Sequence, residues 1–259
     1  YIAVDYAGAV EGGRVIAPGE YAEIQEFAGT VRTHLAASPV TGKQPALVAQ
    51  ADRLVAAVAA KVEPTQVAAL ARGLADELLA NYPIGAVPTS PPEPARAAVL
   101  YAQQCSACHG PSGRGDGPAA AGLDPPPIAF TDATRAAQRT PFALYEVISQ
   151  GVPGTGMASF AGLPEADRWA LAFYVGSLAY TPQARSDGET LWRENAELHG
   201  RIPTLEALTR TRESDLTGTL PPLQANAIVA YLRSRPQVVN EPVAGAAPLA
   251  LARQRLADS

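Results

Sequence analysis

Cys105-Ser106-Ala107-Cys108-His109 is the stretch on which the reading of the chain turns. Two thiols three positions apart near a helix end can both add to the vinyl groups of one porphyrin. The next residue, His109, is then held under the iron as its proximal ligand. The alternatives are a redox dithiol and half of a zinc site. The chain holds 2 cysteines, so a four-cysteine zinc site cannot be built. A thioredoxin-like dithiol needs a βαβ setting, and the pattern offers none. The motif therefore predicts one haem c, covalently held by Cys105 and Cys108.

A second axial ligand follows from scarcity. Met157 is the 1 methionine of the chain, and it lies in the glycine-rich stretch Gly151-Val-Pro-Gly-Thr-Gly-Met157-Ala-Ser-Phe160. Methionine usually fills cores, but small and turn-forming neighbours give this one little to pack against. A thioether opposite the histidine makes a His109/Met157 pair, which raises the potential of a haem.

Residues 95–180 resemble a class I cytochrome c. The resemblance is carried by Tyr101 before the motif, His109-Gly110 within and after it, Leu123-Asp-Pro-Pro-Pro127, the Met157 loop and Trp169-Ala-Leu-Ala-Phe-Tyr174-Val. Ala97 departs from it, standing where the family usually has glycine at the crossing of its first and last helices. The resemblance implies that a carbonyl of the proline stretch accepts the Nδ1–H of His109, with Pro125 the candidate and Pro126 next. It also implies a periplasmic location, and a propionate contact for Arg139. Tyr101, Ile128, Phe130, Phe160 and Trp169 are expected to line the pocket, Trp169 either donating its indole N–H to a propionate or simply packing.

The 259 residues suffice for two or three modest domains, and 47% of them are hydrophobic. Many alanines and few aromatics favour helices, so the expected class is all-α. A net charge of −5 argues against nucleic acid and suits metal cations or a basic redox partner. No run of about 18 apolar residues is present to span a bilayer. The chain begins at Tyr1 without a signal peptide, as a processed product would.

Taken in order, residues 1–83 are expected to form an N-terminal helical domain. It opens with a short helix and a loop, followed by amphipathic helices over 20–37, 45–62 and from Pro64 to Asn81. Residues 84–94 form a proline-rich linker, 95–180 the cytochrome, 188–235 a helical cap or a degenerate cytochrome-like unit, and 236–259 a linker and short helix. In 188–235, Gly188, Trp192, His199-Gly200 and Tyr231 echo the cytochrome pattern. There are no thiols there, and the His199-to-Tyr231 span is too short for a distal loop.

With both axial positions filled, the expected role is outer-sphere transfer of one electron. The whole chain resembles the periplasmic cytochrome region found fused to bacterial oxidase-dependent iron permeases. That likeness rests on Asp5-Tyr-Ala-Gly-Ala-Val-Glu11, Glu20-Tyr21, Asp124-Pro-Pro-Pro127 and Arg139-Thr-Pro-Phe-Ala-Leu-Tyr145. It implies an electron acceptor for Fe²⁺ oxidation beside an iron permease membrane domain, fused or associated. It also implies a tether to the inner membrane beyond the last residues, a redox partner protein and a haem-coupled ferroxidase activity. The alternative is a general periplasmic carrier serving an oxidase or dehydrogenase. Asp5, Glu11, Glu20, Glu23 and Glu26 are candidate oxygen ligands for Fe²⁺, although they also read as a wet helix face. Arg193-Glu194-x-x-Glu197 matches a permease pattern, here in a soluble stretch.

Overall fold

A computed structural model describes residues 2–38, 42–81 and 87–241. The short helix expected near the C-terminus and the start of the proline-rich linker lie outside these residues. Among the described residues the chain is all-α, as its composition predicts: 14 α-helices, one 3-10 turn and one small hairpin. No helix among them is long and apolar enough to cross a membrane. The chain divides into two compact units, residues 1–85 and 86–259.

The first unit holds α1 (Ile2–Ala9), α2 (Pro18–Ala37), α3 (Gln44–Ala59) and α4 (Pro64–Asn81). Apolar residues three and four apart give α2, α3 and α4 one oily stripe each, and the stripes meet in a core of Tyr6, Ile24, Leu35, Leu47, Leu54, Val58, Val67 and Leu74. Each such aliphatic side chain, once buried, stabilises by roughly 1.5–3 kcal/mol. The Tyr6 and Tyr21 hydroxyls donate to the Val62 and Val58 carbonyls at 3.0 and 2.9 Å, so buried phenols are satisfied. The segment after α1 differs from the expected loop. Val10–Glu11 pairs antiparallel with Arg14–Val15 (β1 and β2). Gly12 and Gly13, at φ 53° and 74°, supply the two positive-φ residues that a tight hairpin requires.

The second unit is built on two helix crossings. In the first, α5 (Pro94–Gln104) packs on α9 (Glu165–Ser177), with Ala97 buried on α5. The Arg96 guanidinium grips both oxygens of Asp167 across this crossing. That hydrogen bond, first, and the charge of Arg96 hold the Asp167 carboxyl below the usual carboxylate range against the opposing effect of burial. Between them come a helical turn, α6 (Ser106–His109), then α7 (Ala133–Gln138) and α8 (Pro141–Gln150), and α8 packs along α9.

In the second crossing, α10 (Pro182–Glu194) packs on α14 (Pro222–Ser234). The short helices α11 (Ala196–Arg201), α12 (Leu205–Arg210) and α13 (Glu213–Leu216) connect them. Gly188 precedes Trp192 by the same step as Ala97 precedes Tyr101. The His199 ring lies 4.0 Å from Trp192, and its Nε2 is 2.9 Å from the Trp192 carbonyl, so that nitrogen is engaged locally. Residues 182–234 thus form a second helix crossing without thiols, and α14 also packs on α9.

A Cβ at Gly188 would stand 1.9 Å from the Ala227 carbonyl oxygen and 2.6 Å from its carbon. These are backbone atoms, so Gly188→Ala must push α10 and α14 apart. The expected loss is about 2 kcal/mol, read in thermal unfolding. An unchanged melting temperature would mean that the crossing is looser than described.

Candidate functional site

The helix of α5 carries straight into the motif. The backbone N–H groups of Cys105 and His109 donate to Tyr101 and Cys105 carbonyls, each at 2.9 Å. Cys105 and Cys108 therefore stand one turn apart on one side of the helix, both half-buried and both free thiols. Burial, first, and the neighbouring Cys108 sulfur push the Cys105 thiol up to about 11.

The loop after the motif folds back over it. Gly115, Gly117 and Ala119 donate to the carbonyls of His109, Cys108 and Ala107 at 2.9, 3.1 and 2.8 Å, satisfying helix-end acceptors. Gly117 is required there, since a Cβ would lie 2.3 Å from the Ala107 carbonyl oxygen. The Tyr101 hydroxyl donates to the Gly110 carbonyl at 2.7 Å, locking the start of the loop to α5.

His109 is buried, and its Nδ1 lies 3.2 Å from the Ile128 carbonyl. The sequence pointed to Pro125 for this acceptor, and the structure corrects it to Ile128. The Pro127–Ile128 backbone runs hard against Gly115, where a Cβ would meet the Pro127 oxygen at 2.3 Å. That contact brings the Ile128 carbonyl, rather than that of Pro125 or Pro126, to the imidazole. A carbonyl facing Nδ1 makes that nitrogen the donor and leaves the Nε2 lone pair available to a metal. Burial lowers the His109 pKa, with the Ile128 hydrogen bond opposing it, so the ring stays neutral as ligation requires. Phe130 stacks on the ring at 4.5 Å, and Tyr101 lies between Phe130 and Tyr174 at 6.4 and 5.3 Å.

The Met157 loop is a tied turn. The Val152 N–H donates to the Met157 carbonyl at 2.9 Å, and the Met157 N–H donates to Thr155 Oγ1 at 3.1 Å. A Cβ at Gly156 would meet the Leu123 side chain at 2.8 Å, so the turn rests on the end of the loop that follows the motif. The Phe160 N–H donates to the Ile148 carbonyl at 3.0 Å, anchoring the turn to α8.

Trp169 is 1% exposed and stacks on Tyr145 at 4.1 Å, yet its Nε1 is buried with no hydrogen-bond partner. Such a donor is costly to bury unless something else supplies an acceptor. Arg139 lines a narrow cleft together with Ile128 and Phe130. The cleft also receives Arg233 from α14, a residue the sequence reading missed. The one signal for it was a cation closing the apolar run Ala227-Ile-Val-Ala-Tyr-Leu232.

Residues 94–179 match the family model for cytochrome c. This segment is a c-type cytochrome domain. The match covers about a third of the chain. No curated protein matches. A solved structure similar to the chain belongs to the reducing HAO-like protein complex of Kuenenia stuttgartiensis, at 29% identity and a TM-score of 0.32. The similarity covers 45% of this chain and 61% of that one.

The cytochrome domain's residues fit a covalently held haem c. Two free thiols stand on one helix side, a neutral imidazole has its Nδ1 engaged by a backbone carbonyl and its Nε2 left for a metal, and an orphaned indole donor suits a propionate. When bound, haem c supplies a porphyrin edge and an iron that take up and release single electrons. Cys105, Cys108, His109 and Met157 would hold it, and Tyr101, Phe130 and Trp169 would wall it from water.

The carboxylates suggested for Fe²⁺ are not gathered. Asp5 is buried, Glu20 and Glu23 are half-buried, and Glu11 and Glu26 are exposed. Among the described residues no group of three or more His, Cys, Asp or Glu side chains is placed to hold a metal ion. Arg193 pairs with Glu189 at 2.7 Å one helical turn away, so the Arg-Glu-x-x-Glu stretch begins as an ordinary helix-surface ion pair.

Proposed function

We propose that the chain is a periplasmic electron-transfer protein, passing single electrons by outer-sphere contact at one haem c ligated by His109 and Met157. The observation that carries this reading is the state of His109: buried, neutral, its Nδ1 facing Ile128, its outer nitrogen free to ligate, and two thiols in the turn before it. Met157 sits in a tied turn that rests, through Gly156, on Leu123 at the end of the loop after the motif, which supports it as the candidate for the sixth position. An iron with both axial positions occupied has no place for substrate, which favours electron transfer over oxygen or substrate chemistry.

The finer reading takes Fe²⁺ as the electron donor and a ferric-iron permease at the inner membrane as the partner. It is supported by the sequence likeness around Asp5–Glu11, Asp124–Pro127 and Arg139–Tyr145. With no assembled ligand cluster among the described residues, iron would arrive already ligated, by water or by the permease. Stopped-flow mixing of the oxidised protein with Fe²⁺ tests this. The expected result is haem reduction at a rate that rises linearly with iron. Saturation would instead reveal an assembled iron site. Absence of reduction would remove Fe²⁺ as donor and leave a carrier serving an oxidase or dehydrogenase.

A further inference from the structure

Arg233 belongs to α14, in the thiol-free part of the chain, but its guanidinium ends among the residues of the cytochrome domain. It is 2% exposed. Its Nη1 donates to the carbonyls of Ala136 and Gly176 at 3.2 and 3.1 Å and lies 3.4 Å from the Tyr180 hydroxyl. Its Nη2 donates to the Arg139 carbonyl, and its Nε is buried without a partner. All four partners are neutral oxygens. Burial, first, works against the charge, while Tyr180 and Glu213, itself hydrogen-bonded to Tyr180, favour it. Burying a cation without a carboxylate against it is unfavourable, so this arginine calls for an explanation.

Its surroundings narrow the choice. The guanidinium borders a cleft of about 20 Å³ that it shares with Ile128 and Phe130. Ile128 provides the carbonyl facing His109, and Phe130 is the ring stacked on it. A space of that size admits a water molecule, not a ligand. Arg233 also borders a wider cleft of about 310 Å³ beside Phe173, Ser177 and Arg185, but both Nη groups are already spent on protein oxygens, so it is not placed as a substrate-binding arginine. Two effects remain: its hydrogen bonds, which fix the chain at 136–139 and the end of α9, and its field.

We propose that Arg233 is a positioning residue for the haem site, a fixed buried cation lent by the thiol-free helix pair to favour the reduced state. The inference rests on the electron-transfer reading above. Gaining an electron lowers the charge of the site by one unit, and a nearby cation in a dry setting favours that change more strongly than it would in water. Arginine suits the place because it keeps its proton under burial that would discharge a lysine. The proposal also gives residues 182–234 a task, since α14 carries the charge.

The test is a redox titration of the purified holoprotein. Arg233→Met keeps an apolar stem of similar length and removes the charge, and its midpoint potential is expected to fall. Glu213→Gln removes a negative charge acting on the same cation, and its potential is expected to rise. A packing defect would not give opposite signs. An unchanged potential in R233M, with only a lower melting temperature, would reduce Arg233 to a strut and overturn the proposal. Should R233M fail to fold, Arg233→Gln, which keeps a donor for the carbonyls without the charge, decides: a lower potential supports the proposal and an unchanged one defeats it. Wild-type protein lacking haem would be a different result, striking the electron-transfer reading itself.

Discussion

Cys105→Ala combined with Cys108→Ala is expected to yield a chain from which all haem is lost on denaturation. The two sulfurs stand one helical turn apart on one side, and each makes an independent anchor point. Either single substitution should leave one link, and the double should leave none. The mass of the denatured polypeptide reads the outcome directly. A macrocycle still attached to the double variant, or missing from the wild type, would end the haem reading. The variant also uncovers a pH dependence. In the haem-free chain the His109 pKa is depressed by burial below its ordinary 6.5. A depressed folded-state value means that the unfolded chain binds the proton more readily. The resulting stability is fully present above about pH 6.5 and is lost as pH falls through the folded-state value. Adding His109→Asn to the double variant should flatten that part of the unfolding curve.

The helices were legible where an apolar stripe had room to repeat. The fourth helix begins at Pro64 as the sequence predicts, and the second runs Pro18–Ala37 against an expected 20–37. A two-residue strand shows no period of two, so the hairpin at Val10–Val15 left only its glycine pair as a trace. The motif itself was legible because cysteine is so sparse in this chain. Its side chains follow from spacing, and helical hydrogen bonds through Cys105 and His109 continue the pattern of α5.

The parts of the site that escaped are set by chain path. Whether Pro125 or Ile128 faces the imidazole depends on where the 125–128 stretch passes the motif loop. That is decided by the close approach of Gly115 to Pro127, two residues far from any periodic element. Arg233 is a stronger case. It lies 94 residues after the Arg139 carbonyl it meets, and its helix looks like an apolar span ending in a surface cation. Only the packing of α14 on α9 turns that cation inward. Trp169 falls between the two cases. Its burial was readable from an apolar helix, but the unpaired indole nitrogen appears only once its neighbours are in place.

Met157→Ala is expected to open the sixth position without dismantling the turn that carries it. The turn is held by the Met157 backbone, through Val152 and Thr155, and by Gly156 resting on Leu123. None of these contacts uses the thioether. The substitution therefore removes one candidate ligand and little else, and no second methionine exists to replace it. Carbon monoxide should then bind readily to the reduced protein. The reduction potential should fall on the order of 0.2 V, a fraction of the roughly 0.8 V range that axial ligands command among haem proteins. The thioether favours the reduced iron, so its loss moves the potential down. Gly156→Ala separates ligand from scaffold. Its added methyl meets the flexible Leu123 side chain rather than backbone, so the turn shifts slightly while the thioether stays. It should lower stability modestly and leave carbon monoxide excluded. If M157A kept its potential and still excluded the gas, another group would have to occupy the sixth position. The filled-site argument for outer-sphere transfer would then need a different ligand.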